Sequence, residues 1–143
     1  MSFTNTALRE LALNVIAQYA GPGAGPKALA AAAGRIYEDL DRVAAPLIGH
    51  LGVDALIGRA LHLAGAEYPC LVTTRERDHD DRPFAQVLVC LEQQDAAVAT
   101  AAAGAFFATF TGLLGTFIGE GLTSRLLRRA WPDALSDTAT EET

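Results

Sequence analysis

"AAVATAAAGAFFATFTGLLGTFIG", residues 96–119, is a run of 24 residues without a charge, and its surroundings decide what kind of protein this is. As an α-helix rising about 1.5 Å per residue, it reaches across a hydrocarbon core of about 30 Å. Its composition favours a different solvent. Eight of the 24 are Ala, four Gly and four Thr, leaving eight Val, Leu, Ile or Phe. At about −0.3 to −0.6 kcal/mol each, those eight supply roughly −2.4 to −4.8 kcal/mol toward insertion, before Gly and Thr are set against them. The expectation is a core helix at the centre of a bundle, with insertion of 96–119 into a membrane as the alternative.

The small residues of the run are ordered. Thr100, Gly104, Ala108, Gly112 and Thr116 recur every four positions and make one smooth helical stripe. Gly115 and Gly119 add a short GxxxG, and a surface of this kind lets another helix approach closely in lipid or in protein. Phe106, Phe110, Leu113, Phe117 and Leu122 form a bulky face beside it. Gly104, Ala108, Gly112, Gly115 and Gly119 are therefore expected to carry helix–helix interaction.

The same helix is expected to run from Asp95 to Trp131. Glu120 then stands between two glycines in an apolar rod, where a carboxylate must reach water, pair with an Arg or line a cavity. Arg125, Arg128 and Arg129 read as cations favoured at a helix C-terminus, or as the positive flank of a membrane segment. Trp131 beside Pro132 reads as an apolar cap on the bundle, and with the arginines as a contact site for an acidic partner.

Upstream, the apolar positions keep helical spacing. Leu8, Leu11, Ala12, Val15, Ile16 and Tyr19 predict a helix over 6–19 capped by Asn5 or Thr6. "GPGAGP", residues 21–26, ends it and makes a hinge, since three glycines and two prolines in six positions cannot continue a helix. Leu29, Ile36, Leu40 and Val43 predict a helix over 27–45 that Pro46 bends or ends. Val53, Leu56, Ile57, Ala60, Leu61 and Ala64 predict another over 53–66. A charge-dense loop follows, and Phe84, Val87, Leu88 and Leu91 predict a further helix from Asp81 or Pro83; a hairpin of 70–74 with 84–90 is the alternative.

Charge and cysteine usage narrow the function. A net charge of −6 on 143 residues argues against nucleic acid, whose phosphates demand Lys and Arg. Cys70 and Cys90 are the two cysteines, and no leader pattern opens the chain, so two thiols in a reducing cytoplasm are expected.

Signatures of chemistry are weak. "GPGAGPK" lacks the Gly before Lys27 and the hydroxyl after it that a phosphate loop requires, and Pro26 removes an N–H from the cradle. His50 with Asp54, Glu38 with Asp41, and Glu92 with Asp95 match no zinc motif, and "DHDD" at 78–81 lacks EF-hand spacing. Glu67, His62 and Cys70 lie close in the chain without forming a known nucleophile motif. No cofactor, metal or catalytic residue is assigned.

The expected protein is thus an all-α, single-domain bundle of about five helices around the long uncharged one. It comprises an N-terminal arm (1–20), the hinge (21–26), the bundle (27–132) and an acidic, disordered tail (133–143). Its expected role is non-enzymatic: a helical interaction or regulatory module that pairs with a protein or with itself as a homodimer. A membrane-anchored protein, or a small-molecule binder with a pocket near Glu120, are the alternatives.

Overall fold

A computed structural model describes residues 3–71, 83–132 and 134. Five α-helices account for nearly all of them: α1 (Asn5–Ala20), α2 (Pro26–Gly65), α3 (Pro83–Glu92), α4 (Ala96–Ile118) and α5 (Glu120–Ala130), with a single 3-10 turn at Pro69–Leu71. No strand occurs among the described residues, and the 84–90 half of the alternative hairpin lies in α3. The rest of that hairpin, the charge-dense loop, and residues 133 and 135–143 of the acidic tail lie outside the described residues.

α4 is the central element. Its N-terminus is fixed by Asp95, whose Oδ1 accepts from the Val98 N–H at 2.9 Å, an N-cap worth about 1 kcal/mol. Its threonines sit in an apolar helix because their hydroxyls bond back to the preceding turn. Thr109 donates to the Ala105 carbonyl at 2.8 Å and Thr116 to that of Gly112 at 3.1 Å. Phe106, Phe107, Phe110 and Leu114 are each at most 2% exposed. The phenylalanines extend a ring cluster contributed by three helices. Tyr37 of α2 stacks on Phe84 of α3 at 4.5 Å between centroids, and Phe84 meets Phe106 and Phe107 at 5.3 and 5.9 Å. Each such pair adds about 0.5–1.5 kcal/mol to the burial itself.

The expected single rod from Asp95 to Trp131 is two helices. Gly119 has φ 95° and ψ 149°, closing α4 and opening α5. Only a residue without Cβ enters that region cheaply, so the Gly-Glu-Gly sequence breaks the helix instead of lying within it. The Gly119 carbonyl accepts from both the N–H and the hydroxyl of Thr123, which satisfies a fully buried side chain. Beyond the corner, Thr123, Leu126, Leu127 and Ala130 recur at i, i+3, i+4 and i+7 and are buried, so α5 packs its one apolar stripe on α2 and α4.

α2 shows a related departure. Helical hydrogen bonding continues past Pro46 and the kink falls at Gly49, with φ 79° and ψ 160°. Proline's own φ fits a helix, whereas a reversal needs positive φ, which glycine supplies. The two expected helices are both present within α2, and they meet at Gly49 instead of Pro46.

α1 begins one residue earlier than expected. Thr4 is the cap, with Oγ1 accepting from the Ala7 N–H at 3.2 Å. Leu8, Ala12, Val15 and Ile16 are buried, and α1 lies along α4 and against α2. The connection at 21–25 carries two glycines of positive φ, Gly21 at 83° and Gly23 at 71°.

Candidate interaction groove and adjoining cleft

The small-residue stripe of α4 is occupied by this chain's own α1. A Cβ built on Gly104 would stand 2.9 Å from Leu13 Cδ2, and one on Gly115 would stand 2.9 Å from Phe3 Cε2. A Cβ on Gly112 would meet Leu8 Cδ1 at 3.5 Å. Since Leu13 of α1 meets Gly104 while Phe3, just ahead of the α1 cap, meets Gly115, the two chain segments run antiparallel. Ala108 is 2% exposed within the same row. Thr116, the last member of the four-residue series, is exposed. Four residues advance a helix by about 400°, so the series drifts about 40° per step, and Gly115, eleven residues and about three turns from Gly104, replaces Thr116 under α1.

An ion pair reinforces this docking. Arg9 of α1 donates from Nη2 to Glu67 Oε2 at 2.6 Å and from Nη1 to Oε1 at 3.2 Å. The guanidinium holds the Glu67 carboxyl below its ordinary range, and the carboxylate in turn raises Arg9. Glu67, one of three groups singled out for nucleophilic chemistry, is thereby engaged by α1. Burial pushes the Cys70 thiol up, and neighbouring Cys90 adds to that shift, the direction opposite to an activated nucleophile. His62 lies exposed on α2. His50 faces Asp41, with Nδ1 to Oδ1 3.7 Å, instead of Asp54.

Gly119 and Glu120 form the exposed corner between α4 and α5. Glu120 occupies the first turn of α5, where a carboxylate is favoured by the unpaired N–H groups, and its side chain reaches solvent. Arg128 and Arg129 stand in the last turn of α5 and, with Arg125, are exposed. Phe117 and Leu122 flank the corner, 65% and 38% exposed.

Trp131 lies at the opposite end of α5 and is 2% exposed, its N–H bonded to the Leu127 carbonyl at 2.7 Å. Its indole Nε1–H is buried and meets no acceptor among the described residues, an arrangement that costs about 1–3 kcal/mol. Trp131 and Pro132 join Gln18, Tyr19 and Arg35 around a cleft of about 240 Å³. Arg35 donates from Nη2 to the Tyr19 carbonyl at 2.6 Å and lies 5.6 Å from the centre of its ring. The Tyr19 hydroxyl donates to Asp39. Burial, then the Asp39 carboxylate, push the phenol up to about 12. Trp131 and Pro132 are neighbours in the sequence, whereas Gln18, Tyr19 and Arg35 join them only through tertiary packing.

Among the described residues no group of three or more His, Cys, Asp or Glu could hold a metal ion. α2 and α4 are long and apolar enough to cross a membrane by length and composition, and 61% of the most apolar window of α4 is buried within the protein. The fold and groove define a small α-helical bundle with an N-terminal helix docked on a glycine-lined central one. Comparisons with protein-family models, curated proteins and solved structures find no match.

Proposed function

We propose that the protein is a helical interaction module whose docking element is α1 and whose receptor is the glycine-lined face of α4, so that two copies associate by exchanging α1. The observation that carries this reading is the fit of Leu13 and Phe3 over Gly104 and Gly115, at 2.9 Å each from where a Cβ would stand. A second copy presents the same groove and the same helix. Exchange adds no new interface chemistry and needs only that the five-residue connection between α1 and α2 open. Arg9 travels with α1 and re-forms its pair with Glu67 of either copy. The module acts without catalysis or cofactor, binds no nucleic acid, and works in the cytoplasm.

Light scattering on the full chain tests the exchange. Deleting residues 23–25 leaves too little chain for α1 to fold back, so the variant is expected to be a dimer with unchanged helicity. A folded, monomeric deletion variant would contradict the reading.

A membrane-associated role is the second reading, supported by the exposure of Phe117 and Leu122 at the corner between α4 and α5. Co-sedimentation with anionic liposomes, lost in a Phe117→Ser and Leu122→Ser double variant, is its expected signature.

A further inference from the structure

We propose that the outward face of α5 docks on an anionic lipid surface, Arg125, Arg128 and Arg129 meeting the headgroup phosphates while Leu122 and Phe117 enter between the headgroups. The inference deepens the membrane-associated reading above and rests on it, adding the residues that hold the headgroups and the lipid charge they select.

α5 has two faces. At about 100° per residue, Leu122, Arg125, Arg128 and Arg129 fall within about 120° of arc opposite the buried stripe, and all four are exposed. Glu120, the one acidic residue of the helix, lies outside that arc. Other arginines serve the fold: Arg9, Arg35 and Arg42 hold Glu67, the Tyr19 carbonyl and Asp39. Arg125, Arg128 and Arg129 make no ion pair or side-chain hydrogen bond among the described residues. Favour at a helix C-terminus accounts for Arg128 and Arg129 in the last turn and leaves Arg125, a turn earlier, without a structural role.

Charge and shape select the occupant. Three unpaired cations on one face of a chain of net charge −6 complement an anionic partner. Phe117 and Leu122, 65% and 38% exposed, stand on the corner between two helices and not in a groove. Projecting apolar side chains of this kind need a matching pocket in a folded partner, whereas a headgroup layer receives them anywhere along its surface. The cytoplasmic leaflet is the anionic one, and each basic side chain close to it strengthens binding about fivefold. Repulsion of the acidic remainder of the surface leaves this face to make the contact, and salt screens it.

Sedimentation with sucrose-loaded vesicles tests the proposal on the full-length protein. The vesicles are phosphatidylcholine alone or mixed roughly three to one with phosphatidylglycerol, at about 0.1 and 0.5 M salt. Soluble polyglutamate serves as an acidic polymer without a bilayer. The expected result is binding to the anionic vesicles, at least about tenfold weaker binding to the neutral ones or at the higher salt, and little competition by polyglutamate. The triple variant Arg125→Gln, Arg128→Gln and Arg129→Gln should bind about 100-fold more weakly at an unchanged thermal melt, and the corresponding triple Lys variant within about threefold of the native chain. Equal binding to neutral vesicles, or a folded triple Gln variant that binds as the native chain does, overturns the basic-face proposal and leaves the membrane-associated reading standing. Binding to no vesicle removes both. Displacement from the vesicles by polyglutamate at equal charge assigns the face to an acidic protein and also overturns the proposal. The lipid and salt comparisons in the unaltered chain decide the matter even if the triple Gln variant does not fold.

Discussion

Leu13 Cδ2 stands 2.9 Å from the point a Cβ on Gly104 would occupy, so α1 and α4 meet at a distance that no side chain at position 104 tolerates without movement. The far end of a leucine can shift, and alanine gains about 1 kcal/mol of helix propensity over glycine. Gly104→Ala is therefore expected to lie within about 1 kcal/mol of the native protein. Gly104→Leu overfills the groove and should cost about 3 kcal/mol in urea unfolding. Hydrogen exchange would then show α1 losing protection while α2 and α3 keep theirs.

Gly119 makes a different demand. Nothing lies within 4 Å of a Cβ built there, so the cost of Gly119→Ala is backbone strain at φ 95° alone. A loss of about 1–3 kcal/mol is expected, read as a lower thermal midpoint. Gly121→Ala, with equal open space and helical φ, should be neutral or stabilising and serves as its control.

The Arg9–Glu67 pair should give a pH signature. Arg9 lowers the folded-state pKa of Glu67, so the pair's stabilisation is present above the unfolded carboxylate pKa of about 4.3 and is lost as pH falls through the folded value. Glu67→Gln is expected to be slightly less stable than the native chain at pH 7. The difference should close in acid, below about pH 4, when chemical unfolding of both is compared across pH.

Tyr19 should act at the alkaline end. Its folded pKa of about 12 exceeds the unfolded value, so its contribution is complete below about pH 10 and is lost as pH rises through 12. Tyr19→Phe is expected to cost about 1 kcal/mol at neutral pH and to flatten the loss of stability between about pH 10 and 12. Ultraviolet titration of the native chain should show a late-ionising phenol that is missing in Tyr19→Phe.

Periodicity made most of this fold legible. The faces read from α1, α2 and α3 are the buried faces, because burial of an apolar stripe is what holds each helix. The Gly119 corner was not legible, since a glycine between helical stretches is compatible with continuation and its positive φ shows only in the folded chain. Thr4, Asn5 and Thr6 are all capable caps, so local sequence does not choose among them. The groove was visible as a stripe, but its occupant was not. Nothing in residues 5–20 taken alone distinguishes docking on this α4 from docking on another. The cleft joins positions 18–19, 35 and 131–132, and no local spacing reports such a meeting.

The central claim is that α1 covers the glycine face of α4 through Leu13 and Gly104, and a disulfide trap tests it most directly. In a chain with Cys70→Ala and Cys90→Ala, the pair Leu13→Cys and Gly104→Cys is oxidised at increasing protein concentration. Rapid bond formation is expected, with a covalent dimer gaining on the internally bonded monomer as concentration rises. Free thiols persisting in a folded protein at every concentration would contradict the account.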